Sequence, residues 1–128
     1  MEGALARPNE LRGRTTRIKV GCGWLYCTIN ICEEYKEVFL RLGKGGGCSD
    51  AWCGAVGRLI TFALNGGTPI ERIIHALRGM QCPSSQFHEG TRILSCPDAI
   101  AYSLQQELAL ECSNTSTEGT AQSPPPAD

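Results

Sequence analysis

The stretch TRIKVGCGWLYCTINICEEYKEVFLRL, from Thr16 to Leu42, decides the fold because apolar and polar residues alternate through it with a period of two. Thr16, Ile18 and Val20 alternate with Arg17 and Lys19. Leu25, Cys27, Ile29 and Ile31 alternate with Tyr26, Thr28 and Asn30, and Val38, Leu40 and Leu42 alternate with Phe39 and Arg41. Successive strand side chains point to opposite faces, so each run predicts a half-buried strand. Gly21-Cys22-Gly23 is a tight link between the first two runs and Glu33-Glu34-Tyr35-Lys36 a short charged link between the next two. Links this short join antiparallel neighbours, which predicts a three-stranded meander.

Outward from that stretch the period changes to 3.6. After Gly43-Lys44-Gly45-Gly46-Gly47, the residues Val56, Leu59, Ile60, Ala63 and Leu64 recur on one helical face until Asn65-Gly66-Gly67. Thr68-Pro69-Ile70-Glu71 supplies a cap, a proline at the first helical position and a capping-box glutamate for a second helix, whose stripe is Ile70, Ile73, Ile74 and Leu77 and whose stop is Gly79. Ser95-Cys96-Pro97-Asp98 opens a third helix in the same manner, with Ile100, Leu104 and Leu108 facing inward. The prediction is an α+β fold, a three-stranded antiparallel meander followed by three helices packed on one face. The domain is expected over residues 14–110, with a flexible basic arm at 1–13 and a disordered Ser/Thr/Pro-rich tail at 111–128.

A chain of 128 residues suits one domain with a modest core. A formal charge of -1 gives no global attraction to nucleic acid or anionic membrane, and the cluster Arg7, Arg12, Arg14, Arg17 and Lys19 reads as a solvated arm. Nucleic acid is therefore not an expected partner. No stretch approaches the roughly 18 apolar residues of a membrane span, and the first residues show no apolar leader segment. A reducing cytoplasm is the expectation, and there eight cysteines point to metal or free thiols before disulfides.

The eight cysteines divide by position. Cys22, Cys48, Cys82 and Cys96 each sit beside glycine or proline at a reversal or helix start, where the backbone can aim several sulfurs at one point. Cys48 and Cys96 fall near first helical turns, whose free N–H groups favour a thiolate. Convergence of the four predicts a tetrahedral zinc site; reduced structural thiols and redox chemistry are the competing readings. Cys27 is in register with Leu25 and Ile29 and reads as an inert core residue. Cys53 lies about 140° around the helix from Cys48, and Cys32 and Cys112 have no partner spacing. These four are expected to be structural or incidental. Lys44, in its glycine-rich loop, is a candidate phosphate contact, although its order departs from that of a P-loop. His75 is expected on the surface, His88 is a possible substitute zinc ligand, and Asp98 is expected to cap rather than to act as an acid or base.

The order Gly-Cys-Gly, Glu37-Val38-Phe39-Leu40-Arg41-Leu42-Gly43-Lys44-Gly45-Gly46-Gly47-Cys48, Gly57-Arg58-Leu59-Ile60, Cys82-Pro83, Ser95-Cys96-Pro97-Asp98-Ala99-Ile100-Ala101 resembles the TSCPD domain over about Thr16 to Leu108. That domain occurs near the C-terminus of adenosylcobalamin-dependent ribonucleotide reductases and in short free-standing proteins. Leu94 stands where the family name has Thr, and Cys27 and Cys53 stand where the family does not usually have cysteine. The reductase barrel with its radical and reducing cysteines does not fit in this length, and the C-terminal Cys-x-x-Cys shuttle is missing. The resemblance thus implies an accessory module of deoxyribonucleotide supply for DNA synthesis, zinc-stabilised and inactive alone, that meets cobalamin only through a partner reductase catalytic subunit. The alternatives are a piece of a split reductase, transferring thiol equivalents through Cys48 or Cys96, and a small nucleotide-binding domain using the Lys44 loop.

Overall fold

Strands β1 (Arg12–Val20), β2 (Gly23–Cys32) and β3 (Tyr35–Leu42) form an antiparallel sheet in that spatial order in a computed structural model of the chain. The structure describes residues 6–43 and 47–120, with side chains through residue 110. Helix α1 (Gly47–Asn65) and helix α2 (Ile70–Leu77) come next, then a hairpin of β4 (Gln86–His88) and β5 (Thr91–Ile93), then helix α3 (Cys96–Thr120). The expected α+β meander with three following helices is the architecture found. Of the tail expected from 111, the backbone to Thr120 belongs to α3, and 121–128 lie outside the described residues.

The register places Ile18, Leu25 and Leu42 in one cross-strand row, Thr16, Cys27 and Leu40 in the next, and Arg14, Ile29 and Val38 in a third. The apolar members of these rows are buried and make the inner face of the sheet. Ala99, Ile100 and Leu104 of α3 pack into the same core, with Ile73 and Ile74 of α2 and Ile93 of β5.

The free edge of β3 leaves backbone N–H and C=O groups that need partners. Side chains of α1 supply them. Asn65 Nδ2 donates to the Lys36 carbonyl at 2.7 Å while Asn65 Oδ1 accepts from Lys36 N at 3.0 Å. Thr61 Oγ1 accepts from Val38 N at 2.9 Å, and Asp50 Oδ1 accepts from Leu42 N at 3.0 Å. Between these anchors a Cβ on Gly57 would stand 3.0 Å from the Val38 carbonyl oxygen, so glycine there sets the approach of helix to strand. From Thr61 to Asn65 the spacings match because four helical residues rise about 6 Å and two strand residues, Val38 to Lys36, about 7 Å.

Val56, Ile60, Ala63 and Leu64 of the expected α1 stripe lie in or against the core, and the anchoring turns only Leu59 outward. Cys53, Gly57 and Ile60 are buried, whereas Leu59, expected inside, is 64% exposed. The start of α2 also differs. Pro69, not Thr68, occupies its N-cap, with no side-chain cap. Thr68 instead completes the end of α1: its N–H donates to the Ala63 carbonyl and that of Gly67, at φ 104°, to Leu64, a Schellman ending. The β4–β5 hairpin was not expected from the sequence; Glu89 and Gly90 make its turn, both at positive φ. Glu-Gly is a weaker hairpin signal than Asn-Gly or Asp-Gly.

Asn65→Ala would leave both Lys36 backbone groups without their side-chain partner. The expected loss is about 2 kcal/mol, read as a lower urea midpoint. Asn65→Asp, which cannot donate to the carbonyl, should also destabilise; unchanged midpoints would show that water replaces the side chain.

Candidate thiol site between the hairpin turn and two helices

Four elements bring four thiols toward one region. Cys22 is exposed on the β1–β2 turn, Cys53 is buried in α1, Cys82 is half-buried in the loop after α2, and Cys96 is half-buried at the first residue of α3. The turn and the loop touch because Gly21 has no side chain: a Cβ there would stand 2.0 Å from the Ser84 carbonyl oxygen. The loop is held from the other side by Cys82 N, which donates to the Leu94 carbonyl at 3.1 Å.

The start of α3 is fixed by a small network. Ser95 Oγ accepts from Asp98 N at 3.2 Å and donates to the Met80 carbonyl at 2.6 Å. Asp98 caps as expected in role but reaches further than expected, accepting from Leu94 N at 2.9 Å and Gly79 N at 2.8 Å. It thereby ties the end of α2 to the start of α3 beside Cys96. A cavity of about 210 Å³ opens there, lined in part by Cys22, Trp52, Cys53, Cys96, Pro97 and Ile100.

The electrostatics differ from the expectation for a helix start. Burial first, then the neighbouring Cys22 and Cys53, push the Cys96 thiol up to about 12, with a Cys22 hydrogen bond and Cys82 adding to the rise. Cys53 is raised by burial, then by Asp50 and Cys22. Cys96 is thus a neutral thiol at pH 7, because desolvation and the other sulfurs outweigh the helix end. Cys53, set aside as incidental from its angle to Cys48, is the α1 cysteine that interacts with Cys22 and Cys96. Its angle to Cys48 was irrelevant because the α1 face in use is the one that packs on β3. Cys48 itself is exposed at the second residue of α1. Among the described residues no group of three or more His, Cys, Asp or Glu side chains is arranged to hold a metal ion.

The remaining candidates lie elsewhere. His88 accepts from Lys19 N at 3.2 Å through Nδ1, and its ring meets Tyr102 edge-on at 5.8 Å, so it braces β4 against β1 and α3. His75 is exposed on α2. Lys44 lies outside the described residues, and the side chain of Cys112 likewise. Cys27 is buried as expected. No described helix is long and apolar enough to cross a membrane.

A small α+β module with a shared pocket of thiols between hairpin turn and helix starts is the class these features define. The sequence model of the TSCPD domain matches residues 2–108 of this 128-residue chain. The chain belongs to the TSCPD-domain family, and the domain is one found in B12-dependent ribonucleotide reductases. No match was found among curated proteins or solved structures.

Burial raises Cys27 to about 11 from an ordinary 9.0, partly opposed by its hydrogen bond with Ser103. A thiol whose folded value exceeds its unfolded value favours the fold below the unfolded value and loses that contribution as pH rises through the folded one. Between pH 9 and 11 the protein should therefore lose about 2–3 kcal/mol relative to Cys27→Val, measured by urea unfolding across that range. Parallel pH profiles for the two proteins would remove Cys27 as the cause.

Proposed function

We propose that this chain is an accessory module of ribonucleotide reduction that docks on a B12-dependent reductase catalytic subunit and carries structural zinc on its thiols. The docking observation is the outer face of α1. Trp52, Leu59 and Phe62 are 69%, 64% and 68% exposed and fall on one stripe opposite the Gly57 contact face. A helix apolar on both faces is the pattern of a helix covered on both sides. The three side chains expose roughly 300–400 Å², a patch of the size that marks an interaction surface. Trp52 also lines the thiol cavity, so a partner on this stripe would reach the cysteines. Adenosylcobalamin would belong to that partner.

The donor chemistry supports zinc. Soft thiols that raise one another's pKa are relieved by a divalent cation, which binds them as thiolates and would join turn, loop and helix starts. Cys22, Cys82 and Cys96 are common to the expected set and to the interacting group. The fourth ligand is Cys48 on the sequence pattern and Cys53 on the interactions. Elemental analysis of purified protein should give one zinc per chain, lost with Cys22→Ser or Cys96→Ser. Loss with Cys53→Ser but not Cys48→Ser would select Cys53. Zinc-free protein whose thermal stability ignores chelator would reject the metal.

The place of Cys22 and Cys96 on the wall of one cavity favours thiol transfer as the second reading. There, two thiols of this chain would become a disulfide and deliver two electrons and two protons to a disulfide of the catalytic subunit. Trp52→Glu or Phe62→Asp should weaken co-purification with such a subunit at least tenfold while circular dichroism stays unchanged. Retained binding would dismiss the α1 stripe. Stimulation of turnover lost in Cys22→Ser and Cys96→Ser protein that still docks would favour thiol transfer.

A further inference from the structure

The outer face of the three-stranded sheet is not used in either role above. Reading across it, Lys19 pairs with Trp24, Arg17 with Tyr26 and Tyr26 with Arg41, and Thr15 with Thr28 and Thr28 with Phe39. Phe39 is 55% exposed and Tyr26 36%, and the three cations are exposed. The Arg17 guanidinium lies 4.0 Å from the Trp24 ring centroid and Lys19 Nζ 5.3 Å from it. Beyond the β1 edge, Phe87 of β4, 67% exposed, shares with Lys19 and Trp24 a cavity of about 540 Å³.

We propose that this face binds single-stranded nucleic acid. Aromatic residues on neighbouring positions of one sheet face stand about 7 Å apart, along the strand or diagonally across it, and present flat surfaces on which successive bases can stack. Arg17, Lys19 and Arg41 flank those rings where the phosphates of such a strand would run, and a guanidinium stacked on Trp24 keeps its donors free at its edge. No carboxylate occurs in these three rows. Glu37, one row away, is engaged by Arg7 at 2.8 Å and 3.1 Å and by Asn30 at 2.9 Å. Glu89 at the hairpin turn lines the cavity with Phe87 and His88, its carboxylate 3.8 Å from His88 Nε2. An acidic peptide would use the cations and leave the rings idle. A duplex would offer the rings no open base. The charge of the whole chain hides this face because it averages the cationic rows with carboxylates held elsewhere.

The full chain is titrated against fluorescein-labelled fifteen-nucleotide oligo(dT) and oligo(U), and against a duplex of the same length, by fluorescence polarisation. Binding to the single strands is expected, with quenching of tryptophan emission and a roughly twentyfold weakening between 50 and 200 mM salt for three phosphate contacts. Tyr26→Ala and Phe39→Ala, both on the surface, should each weaken binding at least fivefold. Arg41→Ala should weaken it and flatten the salt dependence. Trp52→Glu, on α1, should leave it unchanged. No polarisation change at about 100 µM protein would overturn the proposal. So would equal affinity for duplex, or full affinity in both aromatic variants, since either would reduce the interaction to charge.

Discussion

The open edge of β3 is the constraint on which the rest of this structure depends. A three-stranded sheet has two edges, and each unpaired edge group left dry costs free energy comparable to a lost hydrogen bond. The chain answers with a helix instead of a fourth strand. Asp50, Thr61 and Asn65 of α1 bond to Leu42, Val38 and Lys36, and Gly57 lets the two backbones approach. Thr61 and Asn65, four residues apart, meet Val38 and Lys36, two apart, while Asp50 reaches Leu42 three turns before Thr61, so all three lie on one helix face and together fix the rotation of α1 and its position along β3.

That fixed rotation explains two features that otherwise look unrelated. With Gly57 at the centre of the contact face, Cys53 one turn earlier is carried inward toward Cys22 and Cys96. Trp52, Leu59 and Phe62, on the opposite side, are carried outward. A single rotation thus determines which cysteine of α1 faces Cys22 and Cys96 and which of its apolar residues are exposed. Because α1 takes one edge and α3 the inner face, no helix among the described residues covers the outer face of the sheet.

The sheet was legible in the sequence because alternation is a local signal, and every one of its inward apolar residues was identified from period two. Helix existence was legible for the same reason. The rotation of α1 was not, because Thr61 and Asn65 look like ordinary helix and stop residues until the edge they serve is known. Reading Leu59 as buried followed from counting apolar residues, whereas a polar ladder decided the face. Turn position singles out Cys22, Cys82 and Cys96 because their places depend on local backbone, whereas the interaction of Cys53 with Cys22 and Cys96 depends on long-range packing that the sequence does not display. The β4–β5 hairpin is too short for periodicity to register, and its turn carries glutamate where asparagine or aspartate would have announced it.

Cys96 illustrates how tertiary surroundings override a local rule. A helix N-terminus stabilises a nearby negative charge by about 0.3–1 kcal/mol, less than one pH unit for a thiol. Burial and three neighbouring sulfurs act in the opposite sense and carry Cys96 from 9.0 to about 12. The folded protein therefore holds protons on this cluster that a cation would have to displace, so uptake of metal must release protons and strengthen as pH rises. The same protonation weakens Cys96 as a nucleophile at neutral pH, because the thiolate is the reactive form. A metal ion and a disulfide partner both need the thiolate, so either use of Cys96 at neutral pH has first to remove its proton.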